Sequence, residues 1–293
     1  MSVTLAQLRA FVSVAQHNGF TAASRALGVS QSTISSQIQQ LEQEYGVELF
    51  RRRGKRVDLS SIGMELLPLA RQMAALESDT HTLLCDSGAL RRGVLKIGAV
   101  GQYHITDMIE AYYAVHPLIR LNVTLGNSEV VLNDLDDYTC DVGIVASRHP
   151  DERYYMQSYA SYPVIVFVNA SHRFATRSSV ALSELAGERL LMREPGSTTR
   201  RALEDALLEH NVIVQVAMEI GSREALREAV ARGLGVGTVS QSEYVPDPRL
   251  RPVRIEGNVV WTHIQVCCLR ERRDSMLIAS FFDAVERCRV RSQ

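Results

Sequence analysis

The segment FTAASRALGVSQSTISSQIQQLE (Phe20–Glu42) holds two short helical patterns joined by Gly28–Ser30. The second pattern is rich in Ser and Gln, where a core helix would have more aliphatic residues and a solvated helix more Lys and Glu. Its apolar residues Ile34, Ile38 and Leu41 are spaced by four and three, which predicts one buried face. The opposite face carries hydroxyls and amides, groups suited to hydrogen bonding with neutral partners such as base edges.

A further helix precedes this pair. Thr4 is predicted to cap it, with Gln7 completing a capping box. Thr21 and Ser30 are predicted to cap the second and third helices, and Gly28 to form the turn between them with a positive φ. Two helices joined by a short Gly-containing turn and packed on a first helix form a helix-turn-helix, whose second helix enters the major groove of double-stranded DNA.

Two groups of residues are predicted to contact that DNA. Base contacts are expected from the exposed face of the third helix: Gln31, Ser32, Thr33, Ser36, Gln37 and Gln40. The segment VELFRRRGKRVDLS (47–60) predicts a hairpin wing whose basic residues lie on phosphates or in the minor groove. These residues are Arg51, Arg52, Arg53, Lys55 and Arg56. Either group alone is more typical of an ordinary solvated surface, but the two in this order and spacing favour DNA binding.

The average composition hides this basic region. The chain of 293 residues has a formal net charge of −1, with 32 basic and 33 acidic residues, whereas residues 1–60 hold seven basic and four acidic ones. The five cysteines show no spacing typical of a metal site, and reduced buried thiols are expected. No signal peptide and no apolar run of membrane-spanning length is seen, so we expect a cytoplasmic protein without membrane contact.

The segment ASRALGVSQSTISSQIQQLEQEYGVELFR, from Ala23 to Arg51, resembles the LysR-type transcriptional regulators. The resemblance covers the N-terminal domain and implies a winged helix-turn-helix. Many relatives carry an Arg or Lys on the recognition helix, whereas this chain has Gln37, Gln39 and Gln40 there and no basic residue. Sequence readout is therefore expected to depend on contacts between Gln and adenine and on DNA shape, with affinity supplied by the wing.

A long helix is predicted after the wing, capped by Ser60 or Ser61, interrupted near its start by Pro68 and ended at Ser87-Gly88. Apolar and Thr residues recur along it as a heptad seam: Ile62, Leu66, Leu69, Met73, Leu76, Thr80 and Leu83. A single amphipathic helix packed on its own domain is one interpretation. We favour a dimeric coiled coil, because a dimer would present two recognition helices to two half-sites.

The remaining residues alternate between strand and helix patterns, which predicts an α/β domain with a mainly parallel sheet in two similar halves. The family resemblance implies a two-lobed, periplasmic-binding-protein-like effector domain, and homotetramers. Chain crossings are expected near Tyr162-Pro163 and Trp261–Gln265. The predicted domains are 1–59 (winged helix-turn-helix), 60–90 (linker and dimerisation helix) and 91–293 (effector domain). Within the last, lobe 1 spans about 93–162 and 266–293, and lobe 2 about 163–265.

Polar residues follow several predicted strands, where α/β sheets bind ligands. The residues predicted to bind a small effector are Gly101, Gln102, Tyr103, Asn127, Ser128, Ser147, Ser197, Thr198, Thr199, Arg200 and Ser222. Glycine admits a ligand close to the backbone, and hydroxyls with free helix N–H groups favour anions. For a single Ser at a helix start, capping is the simpler explanation. The segment PGSTTR offers three successive hydroxyls where one cap suffices.

Other functional classes are less well supported. The chain shows no catalytic motif in a suitable context, and no metal or other cofactor is expected. A solute-binding protein or an enzyme on a periplasmic-binding-protein-like fold is the alternative interpretation. The missing signal peptide and the N-terminal winged helix argue against the first, and the missing catalytic constellation argues against the second.

Four segments of the effector half resemble the LysR regulators associated with 2-aminoethylphosphonate catabolism: GNSEVVLNDL, LLMREPGSTTRRALEDAL, EIGSREALREAVARGLGVGTVS and PDPRL. A phosphonate would suit helix N-termini and hydroxyls together with Arg200 or Arg223. An ammonium would suit Glu194 or Glu129. The resemblance therefore implies 2-aminoethylphosphonate or a related phosphonate as the effector.

Overall fold

The computed structural model describes residues 3–53, 56–85, 93–146 and 151–291. The chain divides into two compact units, the first formed by residues 1–90 with 136–139 and the second by 91–135 and 140–293. No helix within the described ranges is long and apolar enough to cross a membrane.

Three helices open the first unit: α1 (Leu5–His17), α2 (Phe20–Leu27) and α3 (Gln31–Tyr45). The capping box of Thr4 and Gln7 is confirmed, because each side chain accepts from the other residue's backbone N–H. Ser30 caps α3 by accepting from the N–H of Thr33, and Gly28 ends α2 with a φ of 68°. Ile34, Ile38 and Leu41 are buried in one apolar core with residues of α1. The predicted helix-turn-helix is confirmed.

The predicted cap at Thr21 is wrong. Helix α2 begins one residue earlier, at Phe20, and its N-cap is Gly19 without a side-chain hydrogen bond. The Phe20 ring packs on Phe50 with centroids 5.9 Å apart, so the first residue of α2 contacts the apolar core of the unit. Thr21 instead donates from its hydroxyl to the side-chain oxygen of Gln31, at 2.9 Å.

The wing is an antiparallel pair of strands, β1 (Phe50–Arg53) and β2 (Arg56–Leu59). Helix α4 (Ser61–Cys85) follows it. Ser60 is its cap, since its hydroxyl accepts from the N–H of Gly63 at 3.0 Å. The predicted end at Ser87-Gly88 lies outside the described residues.

The seam of α4 is only partly covered. Ala70 is buried, and Leu66 and Leu67 pack on the core of the first unit. Most apolar seam residues are exposed in the single chain: Ile62, Leu69, Met73, Leu76 and Leu83. The helix therefore presents an apolar stripe that its own unit leaves open.

The second unit contains five helices and the remaining ten strands of the described chain. The helices are α5 (Gln102–Tyr113), α6 (Ser128–Asp136), α7 (Thr198–Glu209), α8 (Arg223–Ala231) and α9 (Met276–Arg291). The first strands are β3 (Val94–Ala99), β4 (Arg120–Leu125), β5 (Val142–Ala146), β6 (Tyr154–Asn169), β7 (Ser179–Val180) and β8 (Arg189–Met192). The last are β9 (Gln215–Glu219), β10 (Val236–Ser240), β11 (Leu250–Ile255) and β12 (Trp261–Leu269). A 3-10 helix occupies Leu182–Gly187.

Strand β6 joins two halves of this unit. Up to Pro163 it pairs antiparallel with β12, which pairs with β5; from Val164 onward it pairs with β10 and β11. The parallel strands β4, β3 and β5 thus form lobe 1, and the parallel strands β10, β8 and β9 belong to lobe 2. The prediction of a mainly parallel sheet holds for the strands named above. It did not include the antiparallel pairings that β6, β11 and β12 make at the centre of the sheet.

Each lobe 2 face is covered by a helix. Residues of β6 alternate between the two faces. Val166 packs with Leu203 of α7, whereas Phe167 packs with Leu226 of α8. Helices α7 and α8 begin shortly after the ends of β8 and β9, so their N-termini follow the carboxyl ends of these lobe 2 strands.

Candidate functional site: a nucleic-acid face and an effector cleft

Helix α3 turns its polar side outward. Ser32, Thr33 and Gln40 are exposed, and Gln37 is half-buried. Among the described residues, the side chains of Ser36, Gln37 and Gln40 have no hydrogen-bond partner, so they are available to a base edge. Ser32 and Thr33 contact the cap Ser30, with hydroxyl oxygens 2.7 and 2.8 Å apart, and Gln31 is held by Thr21.

The wing places its basic residues on adjacent strands. Arg51 is exposed and lies opposite Asp58, and Arg53 pairs in register with Arg56. The side chains of Arg52, Arg53 and Arg56, and all of Lys55, lie outside the described part of the chain.

Hydroxyls of both lobes meet in the cleft of the second unit. The Oγ of Ser128, at the start of α6 in lobe 1, lies 2.7 Å from Oγ1 of Thr198, at the start of α7 in lobe 2. Thr198 also donates to the carbonyl of Ala146 at 2.7 Å, and the Ala146 N–H donates to Ser128 at 3.1 Å. These direct contacts leave a free volume of about 20 Å³ in the cleft, which is enough for one water molecule.

The N-terminus of α7 faces this cleft without a cap. Ser197 stands at the N-cap position, is buried, and makes no capping hydrogen bond. Because a helix leaves its first N–H groups without intrahelical acceptors, those of Thr198, Thr199 and Arg200 remain available. Within the described chain, the hydroxyls of Ser197 and Thr199 also lack hydrogen-bond partners. This end of α7 is thus a set of unused donors on the cleft wall.

Two arginines line the same cleft, each beside a carboxylate. Arg193 contacts Glu194 at 2.8 Å through two nitrogens; burial of Glu194 opposes ionisation, but these bonds outweigh it and lower its pKa. Arg223 lies 3.1 Å from Glu243, a carboxylate whose pKa is raised by burial despite the neighbouring arginine charges. Arg223 also donates to the carbonyl of Val100 in lobe 1 at 3.3 Å.

The other predicted effector residues divide between three places. Gly101 abuts Glu243, while Asn127 donates to Glu194 across the cleft at 3.4 Å. Gln102 and Tyr103 line a second, larger cavity next to the cleft.

Two predicted effector residues are occupied elsewhere. Arg200 binds Glu204 and Glu219, both at 2.7 Å, and the carbonyl of Arg193. Ser222 is exposed and caps α8 by accepting from the N–H of Ala225. Ser147 lies outside the described residues.

The site includes residues that the sequence reasoning did not select. Arg193 directly follows β8, and Ser240 and Glu243 follow or end β10. The rule that ligands bind at strand ends would have indicated all three. Thr262 gives no such signal, because it lies within β12 and reaches the cleft by its contact with Ser240, at 2.9 Å.

Comparison with known proteins identifies the family to which this architecture belongs. Residues 5–64 match the bacterial regulatory helix-turn-helix protein model of the lysR family, and residues 88–289 match the LysR substrate binding domain. The chain belongs to the LysR family. A RuBisCO operon transcriptional regulator of Allochromatium vinosum is 31% identical over 82% of this chain and 80% of its own length. The transcriptional activator CmpR of Synechocystis is 26% identical over 96% and 94%.

Solved structures share the fold. A full-length OxyR variant from Pseudomonas aeruginosa superposes with a TM-score of 0.80 at 23% identity, covering 98% of this chain and 95% of that one. CbnR complexed with its target DNA gives 0.69 at 21% identity, covering 97% and 99%. Since its relatives are named as transcriptional regulators, this LysR-family chain is a DNA-binding regulator with an effector domain and not an enzyme.

Proposed function

We propose that the chain regulates transcription by reading operator DNA with α3 and the wing, in response to a small anion bound between the lobes. The observation that carries the effector class is the uncapped N-terminus of α7 in the cleft. Unsatisfied N–H groups and the helix dipole favour negative charge there. The cations Arg193 and Arg223 on the same walls favour an anion further.

The proposed effector is 2-aminoethylphosphonate or a related phosphonate. Its phosphonate oxygens would accept from the first turn of α7 and from Ser197 and Thr199. Its ammonium would lie beside Glu194 or Glu129, which directly follow the cleft residues Arg193 and Ser128 in the chain. Because the cleft has room for one water only, binding requires the contact between Ser128 and Thr198 to separate. The ligand would thereby change the balance between closed and opened lobes.

A calorimetric titration of the full chain with 2-aminoethylphosphonate, phosphate and sulfate tests the effector. Saturable binding of 2-aminoethylphosphonate is expected, with loss of about tenfold or more in affinity when Ser197→Ala and Thr199→Val are combined. Ser222→Ala is the matched control, because Ser222 lies at another helix start and should leave affinity unchanged. If phosphate and sulfate bind but 2-aminoethylphosphonate does not, the site binds anions and the effector is not this phosphonate. No binding of any of the three anions would contradict the anionic effector.

We further propose that the stripe on α4 forms a dimeric coiled coil, and that dimers assemble into homotetramers. Support for the dimer comes from the exposure of Leu69 and Leu83, which are 59% and 61% accessible in the single chain. Burying such residues against a second copy would remove apolar surface from water. Two copies would then present two α3 helices to two half-sites.

A further inference from the structure

A second cavity lies beside the effector cleft, with a volume of about 230 Å³. Its lobe 1 wall is the start of α5, with Gln102 and Tyr103. Its lobe 2 wall is α8 together with β10 and the segment that follows it. The ion pair of Arg223 and Glu243 lines both this cavity and the cleft, and so separates them.

The floor of this cavity is apolar. Phe167, Leu226 and Val239 are all buried residues of the core between the lobe 2 sheet and α8, and their remaining exposed surface faces this space. The ring of Tyr244 stands 6.3 Å from that of Phe167, measured between centroids. A ligand body here would exchange water for contact with aliphatic and aromatic carbons.

Polar side chains with no partner surround this floor. Among the residues that the structure describes, the guanidinium of Arg227 makes no ion pair or hydrogen bond, since nearby Asp247 is held by Arg249 at 2.9 Å. The hydroxyl of Tyr244 has no hydrogen-bond partner in the described chain either, and burial raises its pKa, which keeps the O–H as a donor.

The carboxylates on the walls are already engaged. Glu243 pairs with Arg223, and Glu224 accepts from the hydroxyl of Ser222 at 2.9 Å. Among the described residues that line the cavity, Arg227 is therefore the cation without an ion pair, since Arg223 pairs with Glu243. An anionic ligand would neutralise it.

We propose that this cavity binds an organic carboxylate with an apolar body of about the size of one ring. The carboxylate would lie on Arg227 and the hydroxyl of Tyr244. The apolar body would lie against Phe167, Leu226 and Val239. A cavity of roughly 150 Å³ lined by apolar side chains accommodates benzene, so about 230 Å³ leaves room for a ring and a carboxylate.

The site is distinct from the anion site at α7 and does not depend on it. Because Gln102 and Tyr103 belong to lobe 1 and the floor to lobe 2, a bound ligand would contact both lobes. Its occupancy would therefore add to the closure of the cleft by a second set of contacts.

Titration of the full chain with phenylacetate, followed by calorimetry, tests the proposal. Acetate has the carboxylate without the body, and phenylacetamide the body without the charge. Phenylacetate should bind saturably and both analogues should bind at least about tenfold more weakly. Arg227→Met should weaken phenylacetate binding by at least about tenfold, because a charged hydrogen bond is lost.

Two variants separate this site from its surroundings. Arg201→Met removes another lobe 2 arginine that lies outside the cavity and should leave affinity unchanged. Thr198→Val removes a contact between the lobes in the cleft, so its effect on phenylacetate affinity should be smaller than that of Arg227→Met.

Three results would overturn the proposal. One is the absence of phenylacetate binding to roughly 10 mM with the protein folded. The others are equal affinity in the Arg227→Met variant, and loss of binding in Thr198→Val alone. The first two do not bear on whether 2-aminoethylphosphonate binds at α7, whereas the third would place phenylacetate in the cleft at α7.

Discussion

Among single residues, two of the glutamines on α3, Gln37 and Gln39, differ in what they can reach. Gln37 lies on the side of the predicted base contacts with its amide unpartnered, whereas Gln39 is exposed two residues further on. An amide that reads adenine contributes to sequence preference and not to general affinity.

Gln37→Ala should reduce discrimination between the preferred operator and a variant at one base pair by roughly 1–3 kcal/mol, because one bidentate amide contact is lost. Selection from a randomised duplex library, followed by fluorescence anisotropy at fixed salt, measures this. Arg51→Ala should instead weaken binding to all sequences alike, with a shallower salt dependence. Gln39→Ala is the control and should retain preference. Equal losses across sequences for Gln37→Ala would show that this side chain reads no base.

Ser60 links the wing to the long helix. Its buried hydroxyl accepts from the N–H of Gly63 and donates to the carbonyl of Glu48, so it serves the helix and the preceding loop together. Ser60→Ala should lower the free energy of unfolding of the first unit by about 1–2 kcal/mol. Urea denaturation measures it, with Ser61→Ala as control because Ser61 is exposed. If Ser61→Ala lowered the free energy of unfolding as much as Ser60→Ala does, Ser60 would not be the specific cap of α4.

At the scale of elements, α4 carries an apolar stripe that one chain does not cover. Leu76 lies at the middle of the seam and is 56% accessible. An isolated apolar residue on a surface needs no partner, but a repeated seam over several turns does.

Leu76→Lys should raise the dimer dissociation constant at least about tenfold, since burial of one Leu side chain is worth roughly 1.5–3 kcal/mol. Sedimentation equilibrium over a range of concentrations checks this. Ser78→Lys places the same charge on the same helix outside the seam and should leave the dimer intact. If both variants associate as the original chain does, α4 is not the dimer contact.

At the scale of the whole molecule, His104 joins the lobes. It is buried at the start of α5, stacks on Tyr162 with centroids 5.2 Å apart, and its Nε2 lies 3.2 Å from the hydroxyl of Ser242 in lobe 2. Burial lowers its pKa from the ordinary value of 6.5, an effect that the charge of Asp107 opposes.

A lowered pKa means that the unfolded chain binds a proton more readily than the folded chain does. The contribution of His104 to stability is therefore complete above about pH 6.5 and is lost as the pH falls through the folded-state pKa. His104→Gln should make the free energy of unfolding less dependent on pH between about 7.5 and 5.5. Urea denaturation at the two pH values measures this. An unchanged pH dependence would show that titration of His104 does not contribute to the pH dependence of stability.

Some features were determined by the sequence alone. The caps at Thr4 and Ser30, the turn at Gly28 and the buried face of α3 follow from spacing within one or two turns of helix, and they are confirmed. The alternation of strands and helices likewise predicts the parallel strands of both lobes. These are local patterns, in which a residue and its partner lie close together in the chain.

The strand pairing and the contacts within the cleft depend on the tertiary structure and could not be predicted from local sequence patterns. Strand β6 exchanges β12 for β10 and β11 at Pro163, and no local pattern shows which strands pair. Arg200 lies in the segment after β8, where a ligand contact was predicted. It instead binds Glu219 at the end of the neighbouring strand β9. Arg223 and Glu243 form the wall between two cavities although twenty residues separate them. The physical reason is the same in each case, because these contacts join residues far apart in the chain, and only the packed fold brings them together.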